Sequence, residues 1–308
     1  MSLRDLNRRH LGLISVYATR YAVRGGAGLV FVLIVLFFGL MVANFVISPV
    51  EELKRLKEKE TGREIDTEEL LPDLVNFVEP GVAWFLDPPK GGDDEVEEEA
   101  KEWAAFLMHD RPALLSLILL VLTFTLPFLV GTGAFNQYSG DVGSRGIRYQ
   151  LLRTERANIY FGRFIGTYLF CVLTLAFLVA TIVLYVGLKL DVYSWGSILG
   201  WGFWGFVALA IVSMPYTALC GWVSSFVDSA FGSLCIVAVI LGGVPFFAWV
   251  GSKTWEPASN VKYVLPWGVQ EKLLHYETSQ VVVAILACLG YTLVFLALGY
   301  RHFSKRDL

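Results

Sequence analysis

Six runs of uncharged, mostly apolar residues punctuate this 308-residue chain, with charged segments between them. They fall at Gly26–Ile47, Ala113–Gly133, Phe164–Leu188, Gly196–Val223, Ala230–Val250 and Val281–Tyr300. A helix rises about 1.5 Å per residue, so about 20 residues cross a hydrocarbon core of roughly 30 Å. The pattern predicts an all-α membrane protein with six transmembrane helices. Ahead of the first run, Leu3, Leu6, His10, Leu13, Ile14, Tyr17 and Tyr21 share one face at helical spacing. Arg4, Arg8, Ser15 and Thr19 lie opposite. This predicts an amphipathic helix within residues 1–25, lying in the cytoplasmic interface. The first apolar run is longer than a secretory signal needs and no A-x-A site follows it, so it is expected to stay as a helix.

Composition agrees with this picture: 55% of residues are hydrophobic and 17% charged, which belongs to the membrane class. Orientation follows from Lys and Arg in the short connections. The leader carries Arg4, Arg8, Arg9, Arg20 and Arg24, the 134–163 connection Arg145, Arg148, Arg153, Arg156 and Arg163, and the 301–308 tail Arg301, Lys305 and Arg306. The connections on the other side are poorer in net positive charge. Both termini are expected inside, in a cell (inner) membrane crossed several times. The four cysteines fall within the apolar runs and read as small packing residues.

Residues 48–112 hold 19 acids and 8 bases, a net charge of −11, and are expected to form a small helical extracytoplasmic insertion. Glu51–Glu60 extends the first span outward through close opposite charges. Thr67 is a good N-cap, and Pro72 is expected to end that helix after about one turn. A break at Pro88–Gly92 precedes a second helix over Asp93–Met108. A polar segment of this size lacks a large core of its own and is expected to pack on the ends of the spans. In the 251–280 loop, Val264–Leu274 reads as a short interfacial helix. Trp255 and Trp267 in that loop, with Trp195, Trp201 and Trp204, form an aromatic belt or an outer-leaflet surface for substrate or partner.

The spans contain no Asp, Glu, Lys, Arg or His, which argues against ion-coupled relays. The histidines lack H-E-x-x-H spacing and no G-x-S-x-G elbow appears, so no enzyme activity is expected. No metal site is expected either. Ser252-Lys253-Thr254 ends like a phosphate-binding loop, but Phe247 and Ser252 occupy the glycine positions. Nothing in the pattern calls for nucleic acid.

Between the second and third spans lies Asp141–Arg163, DVGSRGIRYQLLRTERANIYFGR. Ile147–Glu155 reads as a short helix with Ile147, Leu151 and Leu152 on one side and arginines around it, the form a groove on a soluble partner grips. A charged loop serving topology alone is the other reading. The order Asp141, Gly146, Leu151-Leu152, Arg156, Gly162-Arg163, with a closing Phe303-Ser304-Lys305-Arg306-Asp307-Leu308, resembles ABC-2 type ABC transporter permeases. The long first outer loop looks more like the branch of the NosY and gliding-motility permeases. Arg153-Thr154 replaces the proline usual after the paired leucines, and Arg163 a lysine.

The resemblance implies a permease subunit of an ATP-driven exporter or mechanotransmitting complex, paired with a second, like or related permease. The ATPase-coupling residues would be Asp141, Gly146, Arg148, Leu151, Leu152, Arg153 and Arg156. ATP and Mg would be held by separate ATPase subunits, with no cofactor in this chain. A non-transporting scaffold that holds an extracytoplasmic protein through the acidic insertion is the alternative.

Overall fold

The computed structural model describes residues 8–24, 26–63, 67–86, 94–144, 146–190, 192–252 and 256–306. Its helices are α1 (Arg8–Arg24), α2 (Gly26–Thr61), α3 (Thr67–Leu86), α4 (Asp94–Ala105), α5 (Ala113–Ala134), α6 (Ser139–Gly143), α7 (Ile147–Leu151), α8 (Arg156–Lys189), α9 (Trp195–Phe226), α10 (Ala230–Ser252) and α11 (Thr278–Lys305). No strand occurs among the described residues. Six helices, α2, α5, α8, α9, α10 and α11, are long and apolar enough to cross a membrane, and each contains one of the six apolar runs.

Burial sorts these six into an inner and an outer set. The most apolar stretch of α5 is 72% buried and that of α10 only 17%, so α5 is central and α10 peripheral. Close approach between spans relies on missing side chains, as expected where no hydrophobic force separates helix from lipid. A Cβ built at Gly205 of α9 would collide with Leu119 of α5, and one at Gly202 with Val183 of α8. Along α9 and α11, Trp222 stacks on Phe295 with ring centroids 5.9 Å apart.

α1 packs along α8 through its small residues and leaves most of the face expected in the interface exposed. Ser15 is buried, while Leu13, Tyr17 and Tyr21 are exposed. The reason is Gly162-x-x-x-Gly166 on α8. A Cβ at Gly166 would lie 2.6 Å from Ala18 Cβ and 2.7 Å from Ser15 O; one at Gly162 would lie 2.7 Å from Ile14 Cγ2. The small residues of α1 seat on this glycine track, and Thr19 Oγ1 donates to Gly166 O at 3.1 Å. The aromatic face is thereby turned outward. Leu3, Arg4 and Leu6 lie outside the described residues.

The insertion is joined to the bundle. Val75, Val82 and Leu86 of α3 and Trp103 and Ala104 of α4 belong to one hydrophobic core with the spans. α2 continues through the charged run to Thr61 as expected, and Lys57 Nζ reaches Asp73 Oδ2 of α3 at 2.9 Å. Pro72 does not end α3, which runs unbroken through Pro72 and Pro80 to Leu86. Burial of Val75, Val82 and Leu86 on one side outweighs the hydrogen bonds the prolines remove, since each buried large aliphatic side chain contributes about 1.5–3 kcal/mol. The Pro88–Gly92 break lies outside the described residues. After α4 a single π-helical turn, Phe106–Asp110, leads to Arg111 in extended conformation, as the following Pro112 requires.

The segment expected as an interfacial helix is instead built of 3₁₀ turns, Pro266–Gly268 and Glu271–Leu274, sunk into the bundle. Leu265, Gln270, Leu273 and Leu274 are all buried. Buried turns must satisfy their carbonyls. Trp103 Nε1 donates to Leu274 O at 3.0 Å, Trp204 Nε1 to Leu273 O at 3.1 Å, and Tyr216 OH to Gln270 Oε1 at 2.8 Å.

Candidate functional site

At the end of the bundle that carries the tail, α6 and α7 connect α5 to α8. Asn136 Oδ1 accepts from Ser139 Oγ at 3.1 Å and from the Gly140 N–H at 2.8 Å, starting α6. Arg163, whose side chain is 14% exposed, ties the connection together. Its guanidinium donates to Gln137 O at 2.8 Å, to Gln150 Oε1 at 3.0 Å and to Asp141 Oδ2. One planar fork therefore links the end of α5, α6, α7 and α8, a task suited to arginine over lysine. Beneath it, Ile147 is buried in a cluster with Tyr138, Ile159, Tyr160 and Phe303. The Tyr138 and Tyr160 rings stack at 5.0 Å, and Tyr138 OH donates to Tyr160 O at 2.7 Å.

The tail is held by the same group of elements. Arg156 Nη1 donates to Ser304 O at 2.6 Å and Arg306 O at 2.8 Å. Arg306 in turn donates to Ser225 O at 2.6 Å and pairs with Asp228 beyond α9. Hydrogen bonds and packed rings thus join α7 to α5, α8, α11 and the end of α9.

These positions divide the expected docking residues. Asp141 and Arg156 are engaged within the chain. Gly146 caps α7, and Ile147 and Leu151 face inward, Ile147 fully buried and Leu151 packed on the ring cluster. The free face consists of Arg148, Tyr149, Leu152 and Arg153, with Tyr149 75% and Leu152 84% exposed. Leu152 was expected on the Ile147 side; it keeps helical backbone angles, and a spacing of five residues turns it about 140° away from Ile147, so it points outward. Tyr149 was not singled out from sequence, although an aromatic side chain among arginines carries the same amphipathic signal. Gln137, Gln150 and Tyr138 were missed because only folding brings them to Arg163 and Tyr160. Arg145 lies outside the described residues.

The expected tryptophan surface also divides. Trp195 is half-exposed against Gly187, Trp267 packs on Phe124 and Phe128, and Trp255 lies outside the described residues. Trp201 and Trp204 line a cavity of about 260 Å³ together with Phe106, Arg111, His275 and Tyr276. Arg111 Cζ lies 4.9 Å from both the Phe106 and Trp201 ring centroids. His275 Nδ1 accepts from the Glu277 N–H at 3.0 Å, which leaves the proton on Nε2, 3.5 Å from Glu99 Oε1. Burial pushes its pKa below the usual histidine value, against the opposing pull of Glu99 and Glu277. Among the described residues, no group of three or more His, Cys, Asp or Glu could hold a metal ion.

No protein-family model matches this chain, and no curated protein matches it.

Proposed function

We propose that the chain is the transmembrane permease subunit of an ATP-driven ABC transporter, docking separate ATPase subunits through α7 and the turn after it. The observation that carries this reading is the exposed Tyr149–Leu152 face, rimmed by Arg148 and Arg153, on a short element tied by Arg163 to two spans. An apolar tip with a basic rim fits a groove on a soluble partner. The resemblance of the Asp141–Arg163 pattern to ABC-2 permeases supplies the kind of partner. ATP and Mg belong to that partner, and a second permease subunit completes the pathway. Closure of the ATPase pair would favour one arrangement of the spans through its differing contacts with this face.

Leu152→Asp tests the reading by placing a charge at the centre of the face without touching the core. Native purification of the wild type is expected to recover a nucleotide-hydrolysing subunit in fixed stoichiometry. The variant is expected to fold normally and lose at least about tenfold in that association, the scale for one well-packed contact residue. A wild-type complex without any nucleotide-hydrolysing chain, or unchanged association in the variant, would sink it.

A further inference from the structure

At the end of the bundle carrying the insertion, the sequence Arg111-Pro112 sets a cation immediately before α5. The proline holds Arg111 extended, and the π turn places Phe106 beneath the guanidinium. Phe106 and Trp201 meet edge to face at 6.1 Å, and Arg111 lies over both. Stacking by its face leaves the N–H edge of a guanidinium open to an oxyanion in its own plane. Among the described residues, Arg111 has no ion-pair partner. No acid is among the residues that line the cavity; of those beside it, Glu99 faces His275 Nε2, Glu102 accepts from Tyr276 OH at 3.0 Å and Glu277 accepts from Ser279 Oγ at 3.1 Å. The wall also holds a donor without an acceptor, the buried indole N–H of Trp201.

We propose that this cavity binds the phosphate of a membrane lipid headgroup, with Arg111 as its anion contact. Three of the six candidate spans, α5, α9 and α11, begin around it, which sets it at the depth of headgroups if those helices cross a bilayer. Leu199 and Phe203, each one residue before the lining Gly200 and Trp204, are exposed, as is Val282 beside the lining Val281. These apolar side chains offer a path for acyl chains leading away from the cation. Inorganic phosphate shares the anion chemistry and lacks the chains. The inference stands apart from the ATPase-coupled reading, since it requires only this chain and a lipid.

Native mass spectrometry of the full-length protein in mild detergent tests it, with dioleoyl-phosphatidylglycerol, dioleoylglycerol and inorganic phosphate as separate probes. The phospholipid is expected to bind saturably, the diacylglycerol about tenfold more weakly, and excess phosphate to leave the lipid in place, one charge-assisted contact being worth about a factor of ten. Arg111→Gln is expected to show the same tenfold loss. Gly200→Leu is a second variant that leaves Arg111 intact, because a Cβ at Gly200 meets nothing within 4 Å and its side chain would occupy the open space there. Displacement by inorganic phosphate would make this a free-phosphate site and overturn the lipid assignment. Equal binding of phospholipid and diacylglycerol by the wild type would overturn the phosphate contact even where a variant fails to fold. Unchanged phospholipid binding in folded Arg111→Gln and Gly200→Leu would remove the cavity from consideration.

Discussion

Arg163 illustrates how many elements one largely buried side chain can tie together. It stands about two turns into α8, and its three acceptors come from Gln137, Asp141 and Gln150. Arg163→Ala leaves the Gln137 carbonyl and Gln150 Oε1 without this donor while the half-exposed Asp141 turns to water, and is expected to destabilise the protein by about 1–3 kcal/mol. Arg148→Ala removes an exposed side chain, and its midpoint of thermal unfolding is expected to stay near that of the wild type. Equal midpoints for the two variants would contradict the assigned roles. His275 makes a pH-dependent contribution of definite sign. Its folded pKa is below the unfolded value of about 6.5, so above that pH neither state gains a proton and stability does not change. As pH falls below about 6.5 the unfolded chain takes up a proton that the folded chain resists, and stability declines until the lower folded pKa is passed. His275→Gln is expected to flatten this part of the unfolding midpoint measured between pH 7.5 and 5; an identical slope in both proteins would exclude the histidine as its source.

At the scale of elements, the glycine track on α8 decides how α1 sits. The helix has an aromatic face, which the sequence pattern assigns to the membrane interface, and a small-residue face for which it names no partner. Backbone proximity supplies that partner, since Gly162 and Gly166 admit Ile14, Ser15 and Ala18 more closely than any larger pair would allow. Gly166→Leu is expected to lift α1 from α8 at a cost of about 1–3 kcal/mol, typical of overpacking. The measurement is labelling of a cysteine introduced at Ser15, expected to be protected in the parent protein and reactive in the Gly166→Leu background. Protection in both would show that the glycine does not set the packing. The same competition acts in α3, where buried aliphatic residues carry a helix through two prolines.

For the whole molecule, the insertion and the spans form one core. Phe45, Val46 and Pro49 of α2 meet Leu74, Val75 and Val78 of α3 across an apolar cleft beside Met108 and Leu114. Cut from the spans, residues 48–112 keep their helix propensities and lose the surface against which their apolar sides pack. The isolated 48–112 fragment is therefore expected to show no cooperative thermal transition, followed by circular dichroism. A sharp transition in that fragment would mean an independent domain. The tie through Glu271–Leu274, gripped by Trp103 and Trp204, further couples the insertion to α9 and the start of α11.

The helical class and the six long apolar helices were legible in the sequence because each holds a continuous apolar run, and that property needs no partner to recognise. The charged continuation of α2 and the placement of the insertion on the span ends were likewise readable from local charge and composition. What faces what was decided by tertiary structure. Ile147 and Leu152 are five residues apart and equally apolar, yet one fills the Tyr138–Tyr160–Phe303 cluster and the other remains free. Arg111 comes to share a cavity with Trp201 and His275 only after chain segments 90 and 164 residues away close around it. Periodicity encodes a helix's faces, while the neighbour each face meets depends on contacts distant in sequence, on glycine-permitted approach, and on buried carbonyls that must find donors.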